Sequence, residues 1–358
     1  MAPRILTERE LNRAVLARQS LLVRSALPIP TALERVGGLQ TQYAPSGYVG
    51  LWSRVADLDR DRYTEALERR RTVKATLMRS TIHTVSRGDH PLFAEGIRRA
   101  RRASWSRAVR GGPGDRRMRA IARRTEALLA DGPRRTTELV RELGIDTGTW
   151  NGVGLWVDLV RVPPSGTWEH RRADLVTTAD RWLGPSMASE REGVEHLVRR
   201  YLAAFGPAAA RDVANWAGLP VSAVSDAAAR MPLRRFRDER SAELLDVRGA
   251  PLPDAGTPAP VRFLPTWDAI LLVHARRSQI LREAHRPLVF NTKTPHSVAT
   301  FLVDGRVAGT WRFEADEVRW SPFEPLSSRV GRSVGEEAAR LSDFHGRAGP
   351  PTRSLVSR

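Results

Sequence analysis

The sequence predicts a mainly α-helical protein with β hairpins, built of tandem winged helix-turn-helix modules and closed by a small C-terminal β-rich domain. Three observations carry this expectation. The order helix, helix, helix, hairpin opens the chain and partly recurs, as expected of winged helices. The run AAARDVANWAGLPVSAVSDAAARM pairs two Ala-rich helices across a Gly-containing turn, the signature of a helix-turn-helix. Beyond PLPDAGTPAP at 251–260, a linker, the composition shifts to Val, Leu, Phe and Trp with hairpin signals. At 358 residues the chain is too long for one ordinary core, and two to four modules are expected.

The first module is expected over 1–130. Thr7 can cap a helix with Glu10 as its capping-box partner, and Leu11, Val15, Leu16 and Leu22 form its apolar face. A second helix runs from about Pro30 to Val36 and stops at Gly37-Gly38. Then comes Leu39 to Val55. Its flanking glycines and Pro45-Ser46-Gly47 argue for an extended segment rather than a continuous helix. Residues 60–70 read as a helix, and 72–86 as a strand or hairpin rich in β-branched residues. Residues 89–130 are helical and divided by GGPG at 111–114. Between Arg98 and Arg124 lie eleven arginines and one acid, Asp115. This is either a solvated helix face or a phosphate-contacting one.

A second module is expected over 131–188. Thr136 to Leu139 opens a short helix, GIDTGTWN makes a polar turn, and Pro164 to Ala173 forms a basic hairpin. The tip of that wing carries Trp168, His170, Arg171 and Arg172. Trp168 either faces a nucleic-acid groove or packs under its own hairpin. The third module, 189–250, holds a helix ending at Gly206-Pro207, the helix-turn-helix around Gly218-Leu219-Pro220, and a wing in RRFRDERSAELLDV. The β-rich domain spans 251–330, with Asp304-Gly305 as a two-residue turn. A last helix at 334–344 and a disordered tail complete 331–358.

Composition narrows the function. The formal net charge is +18, from 58 basic against 40 acidic residues. Such an excess suits a polyanionic partner, because cations that neutralise phosphates release condensed counterions. Only Lys74 and Lys293 are lysines, a bias that codon usage explains; the excess of bases over acids it does not. No apolar run approaches the roughly 20 residues needed to span a bilayer, and the N-terminus reads as an amphipathic helix, not a signal peptide. Cysteine is absent, which excludes disulfides and cysteine-ligated metals. The histidines show no metal-ligand spacing, and no cofactor is expected. A soluble, cytoplasmic monomer bound to double-stranded DNA is the simplest reading.

Candidate chemistry centres on Gln40-Thr41-Gln42. The chain has four glutamines, and two of them stand here one residue apart. In an extended segment both side chains point to one side, whereas on a helix they diverge. Carboxamides are poor bases, yet they hold water or a base edge with paired donors and acceptors. His83, among β-branched residues, is either a core histidine or a cleft residue. Asp268 reads as a capping or structural carboxylate.

The run Leu39-Gln40-Thr41-Gln42-Tyr43-Ala44-Pro45-Ser46 with Gly50-Leu51-Trp52-Ser53-Arg54 resembles the AlkZ/YcaQ-like bacterial winged-helix DNA glycosylases. So do Arg79-Ser80-Thr81-Ile82-His83, Leu264-Pro265-Thr266-Trp267-Asp268, and the run from Val303 to Trp311. The resemblance covers about residues 4–345, and the Gln-x-Gln form is similar to the AlkZ branch. The YcaQ branch has aspartate where this chain has Gln42. The resemblance implies excision of alkylated bases, chiefly N7-alkylguanine, including interstrand crosslinks and bulky adducts, in repair or in self-resistance to a genotoxic metabolite. It implies Gln40 and Gln42 as catalytic residues. Candidate DNA contacts are Trp52, Arg54, Arg79 and His83 in the resembling runs, the lysines Lys74 and Lys293, and Trp168, Arg171 and Arg172 at the wing tip. No lysine adjoins the glutamines, so a monofunctional enzyme leaving an abasic site is expected. The competing class is a non-enzymatic winged-helix DNA binder or regulator.

Overall fold

The computed structural model describes residues 3–109, 112–272, 278–291 and 296–346. Its helices and four small sheets interlock more than a row of separate modules requires. The largest sheet has six antiparallel strands in the order Leu39–Gln40, Ile82–Ser86, Thr72–Thr76, Leu159–Arg161, Leu175–Thr178 and Arg134–Arg135. The pairing of Lys74 opposite Arg161 and of Ala75 opposite Val160 runs across the expected boundary at residue 131. The N-terminal strand Ile5–Leu6 crosses the chain to pair in parallel with Leu233–Asp238, which forms a hairpin with Glu243–Val247. A four-stranded antiparallel sheet follows, in the order Arg262–Leu264, Ala299–Val303, Arg306–Glu314 and Glu317–Pro322.

Local chemistry sets many of the element ends. Thr7 and Glu10 form the reciprocal capping box at the start of helix Glu8–Arg18. Gly37 and Gly38 take positive φ to end helix Ile29–Val36. Asp304 and Gly305, at φ of 46° and 78°, turn the hairpin between Val303 and Arg306. Helices Ala210–Ala217 and Val221–Ala229 meet at Gly218, as the helix-turn-helix reading expects.

Three expectations for local structure are corrected. Pro45-Ser46-Gly47 is not loop: it forms the first turn of helix Ala44–Trp52, where proline's missing N–H has no intrahelical partner to lose. The segment expected as a polar turn is helix Thr147–Val153, whose start is fixed by Asp146 accepting from the Thr149 amide. The residues expected as a hairpin at 164–173 form an irregular loop between strands Leu159–Arg161 and Leu175–Thr178. The Ser165 hydroxyl holds this loop together, donating to the Arg172 carbonyl and accepting from the Asp174 and Leu175 amides.

The main core gathers Phe93, Tyr201, Phe205 and Trp216 with residues from the N-terminal helix to Val307. Helices Asp89–Ala108 and Glu190–Phe205 cross at Gly96 and Gly193, where a Cβ on Gly96 would meet the Gly193 carbonyl carbon at 2.5 Å. Two buried ion pairs tie distant parts together. Arg18 meets Asp246 at 2.6 Å with both side chains fully buried. Arg54 forks onto Asp268 at 2.8 and 2.9 Å, and its guanidinium also donates to the Gln19 carboxamide oxygen. The 251–260 stretch is irregular but fastened, since Arg18, Arg9 and Arg13 donate to the carbonyls of Pro251, Ala255 and Thr257.

Removing one partner of a buried pair leaves the other charge without solvent or counterion, at a cost of about 3–5 kcal/mol. Asp268→Ala should lower the urea unfolding free energy by that amount. A loss below about 1 kcal/mol would show that Arg54 is satisfied by the Gln19 carboxamide and by the Gly50 carbonyl, to which it also donates at 3.0 Å.

Candidate active site

Thr41 sets the site because its side chain faces inward. Its hydroxyl meets that of Thr84 at 3.1 Å, and Thr84 meets the Tyr63 hydroxyl at 2.7 Å. Its amide donates to the Ile82 carbonyl at 2.7 Å, continuing the pairing of Gln40 opposite His83. With Thr41 pinned inward, the alternation of an extended chain sends Gln40 and Gln42 the other way.

Each glutamine is held by its carbonyl oxygen. Gln42 Oε1 accepts from the Ile82 amide at 3.0 Å, and Gln40 Oε1 accepts from Arg79 Nη2 at 2.9 Å. A backbone N–H and a guanidinium can only donate, so these bonds fix which way each carboxamide points. Neither Nε2 has an acceptor among the described residues. Arg79 also donates to the Trp216 carbonyl at 3.1 Å, which links the pair to the helix-turn-helix. It sits in a tight turn, with Arg79 and Ser80 at φ of 52° and 61°. Two successive non-glycine residues in this region carry strain of order 1–3 kcal/mol each, a feature that clusters at functional sites.

Gln42 and Arg79 line a cleft of about 700 Å³. Helix Asp89–Ala108 adds Arg101 and Trp105, helix Thr147–Val153 adds Trp150 and Asn151, and the following segment adds Asp158 and Arg161. The cleft thus lies where the three helical parts of the chain meet. Burial lowers Arg79, Arg101 and Arg161 to about 10, so all three remain cations at neutral pH. Asp158 is the one carboxylate among the lining residues. It faces Arg98 at 3.5 Å and His90 at 3.7 Å. His83 is buried beside the pair, with Nδ1 3.0 Å from the Thr81 carbonyl. Burial, helped by Arg79, pushes it down to about 3, so it is neutral.

The other expected DNA contacts fall in different places. Trp52 is buried under the Arg24 guanidinium and against Phe344. Arg54 is committed to Asp268, and a cation so enclosed has no face left for phosphate. Lys74 is buried too: its ammonium donates to the Gly166 carbonyl beneath the 162–174 loop, against Tyr63. Trp168 packs inward between Tyr48 and Phe344 rather than into a groove. Each of these corrections has one cause, namely that the side chain found a partner far away in sequence. Arg171 and Arg172 are exposed, with Arg171 donating to the Tyr43 hydroxyl and Arg172 paired with Asp174. Lys293 lies outside the described residues. In the arginine-rich run, Arg116, Arg117 and Arg123 are exposed without a carboxylate partner among the described residues.

Sequence reasoning did not single out Asp158, Arg161, Trp105 or Trp150 as site residues. The available signal was Asp158 and Arg161 inside the apolar run WVDLVRV, where charged side chains need a cleft or a partner. Among the described residues no group of three metal-ligating side chains is present, and no helix is long and apolar enough to cross a membrane.

Comparison with known proteins places these observations. The model of a family described as DNA glycosylase AlkZ-like matches residues 33–344. Among solved structures, the Streptomyces sahachiroi DNA glycosylase AlkZ superposes with a TM-score of 0.80 at 19% sequence identity, over 96% of this chain and 97% of that one. No curated protein matches.

Burial without a carboxylate partner lowers the Lys74 ammonium from 10.5 to about 7. Between these values the unfolded chain binds a proton that the folded chain does not, so stability rises with pH through that window. Urea unfolding at pH 7, 8 and 9 should show a gain of up to about 1.4 kcal/mol per pH unit that is absent in Lys74→Met. Equal slopes in the two proteins would mean that Lys74 stays charged in its pocket.

Proposed function

The chain belongs to the AlkZ-like DNA glycosylase family, and on that premise we propose that it hydrolyses the N-glycosidic bond of cationic alkylated purines in duplex DNA, chiefly N7-alkylguanine. As a DNA glycosylase it is an enzyme acting on DNA, which sets aside the reading as a regulator. The observation that carries the finer proposal is the Gln42 carboxamide in the cleft, its oxygen fixed by the Ile82 amide and its nitrogen without a partner among the described residues.

The chemistry follows from what a carboxamide can do. N7-alkylguanine is already cationic, so when the C1′–N9 bond breaks its electron pair neutralises the base, and no general acid is needed. Charge develops instead on the sugar as an oxocarbenium ion, and a water oxygen must bond to C1′. A carbonyl oxygen has two lone pairs. On Gln42 one accepts from a neutral amide and the other can take a water hydrogen, aiming the water's lone pair at C1′. On Gln40 the oxygen lies against the Arg79 cation and is the weaker acceptor. Gln42 therefore holds the water, and Gln40, which is buried and not among the residues lining the cleft, keeps the Arg79 guanidinium in place. The proton leaves to solvent as the bond forms. Trp105 and Trp150 supply apolar faces, Asp158 faces the cationic base, and Arg101 and Arg161 face phosphates.

No lysine is among the residues lining the cleft, and Lys74 is enclosed elsewhere. Among the described residues no lysine amine is placed to form a Schiff base with the sugar, so the product is an abasic site and the strand stays intact. A substrate range that includes crosslinks or bulky adducts, and a role in repair or in self-resistance, belong to the same proposal.

Incubation with duplex containing N7-methylguanine, then alkaline cleavage of abasic sites, should reveal release of the base. Absence of release from any cationic purine adduct would contradict the reading. Gln42→Ala should slow single-turnover release at least about 10-fold, equivalent to about 1.4 kcal/mol in the barrier, with DNA affinity little changed. Parallel loss of affinity and turnover would make Gln42 a structural residue instead.

A further inference from the structure

The cleft beside Gln42 is strongly cationic, yet its cations are not matched by its one carboxylate. Arg101 donates to the Thr76 carbonyl at 2.8 Å and Arg161 to the Ala173 carbonyl at 3.1 Å, while Arg79 donates to Gln40 and to the Trp216 carbonyl. Each guanidinium is thus anchored by neutral oxygens that leave its charge uncompensated. Asp158 lines the same cleft, where opposite charges attract, but among the described residues it forms an ion pair with none of the three.

Asp158 is held from behind instead. It precedes strand Leu159–Arg161, and its backbone carbonyl accepts from the Ala179 amide at 2.8 Å. Its Oδ1 lies 3.7 Å from His90 Nε2 and its Oδ2 3.5 Å from Arg98 Nη2, both too long for a good hydrogen bond. Neither His90 nor Arg98 is among the residues lining the cleft. Arg98 shares its charge with Glu95, at 3.0 Å. His90 is buried, and its Nε2 has no hydrogen-bond partner among the described residues. Burial holds His90 below the usual histidine range, so it is neutral. A neutral ring and a shared cation thus position the carboxylate without cancelling it, and 28% of the Asp158 side chain stays exposed.

We propose that Asp158 is the specificity-determining residue of the cleft, the carboxylate that selects a positively charged base over a neutral purine, and that it acts in binding rather than in bond cleavage. This rests on the glycosylase reading and deepens it by naming the residue that sets the substrate class. Three guanidiniums repel a cationic base, so one uncompensated carboxylate decides whether the cleft accepts it. Trp105 adds a ring face for the same charge; it packs so closely on Gly152 that a Cβ there would come within 2.5 Å of the ring. As the C1′–N9 bond breaks, the electron pair stays with the base and cancels its charge. The attraction to Asp158 then fades while charge appears on the sugar. An interaction stronger in the ground state than in the transition state tightens binding without speeding the reaction.

The test separates binding from turnover. Duplexes carry either N7-methylguanine or its neutral isostere, 7-methyl-7-deazaguanine, each on a 2′-fluoro sugar that blocks cleavage by disfavouring the oxocarbenium ion. The full-length chain should bind the cationic duplex at least about 10-fold tighter than the neutral one. Asp158→Asn, equal in size and uncharged, should lose most of that preference, and Asp158→Glu, which restores the charge, should recover part of it. Affinity for the neutral duplex shows whether a variant is folded, and Asp158→Ser reads the same ratio if the asparagine variant is not. On an unfluorinated N7-methylguanine duplex, the loss of affinity in Asp158→Asn should exceed any loss in saturating single-turnover rate by at least about 10-fold. Equal wild-type affinities for the two duplexes, a preference unchanged in Asp158→Asn, or a loss confined to the rate overturns the proposal. Release of N7-methylguanine by the wild-type protein reports separately on the glycosylase reading: release with equal affinities sinks the charge selection alone, and charge-selective binding without release sinks the reaction alone.

Discussion

Two hydrogen bonds, from the Ile82 amide to Gln42 and from the Arg79 guanidinium to Gln40, are the constraint around which this structure is arranged. A carboxamide that is free to rotate presents oxygen or nitrogen at random. Fixing its oxygen with an obligate donor makes its remaining lone pair and its two N–H groups into defined tools. The inward hold on Thr41 serves the same end, because it settles which side of a very short strand the glutamines occupy. The left-handed turn at Arg79 and Ser80 places a cation beneath one amide and not the other, and so differentiates two chemically identical side chains.

Holding that arrangement requires the parts of the chain to be rigid relative to one another, and the buried charges meet that requirement. Arg54, two residues beyond the helix that follows the glutamines, is locked to Asp268, just past strand Arg262–Leu264, and to Gln19 at the end of the first helix. Arg18 joins the first helix to Asp246 of the third hairpin. Such pairs add little net stability over apolar packing, yet their directional forks specify register. The six-stranded sheet does likewise, since the strand that carries Lys74 bonds directly to the strand that carries Arg161 at the cleft.

Much of this was legible from the residues, for physical reasons that are local. The Thr7–Glu10 box, the Gly37-Gly38 stop, the Asp304-Gly305 turn and the Gly218 helix-turn-helix each depend on a few adjacent residues. The extended Gln40-Thr41-Gln42 segment was legible from its flanking glycines, and period-two geometry then put both amides on one side. What escaped depends on distance along the chain. Arg54, Lys74 and Trp168 have the composition of DNA contacts, and only their partners, 214 residues away for Arg54 and 92 for Lys74, show otherwise. Helix Thr147–Val153 was missed because Thr and Gly are weak helix formers and its cap, Asp146, reads equally as a turn residue. Asp158 and Arg161 gain their meaning only when helices from three parts of the chain close around them.

The central claim is that Gln42 stabilises the sugar cation through the water that it aims at C1′. A duplex bearing a pyrrolidine in place of the target sugar carries a fixed positive charge where that cation develops, whereas a tetrahydrofuran duplex has the same shape without charge. Affinity for both, measured with the wild-type protein and with Gln42→Ala, isolates the interaction. The account predicts that the wild-type protein binds the pyrrolidine duplex at least about 10-fold tighter than the tetrahydrofuran duplex and that Gln42→Ala loses most of this preference. A preference unchanged in Gln42→Ala would contradict it.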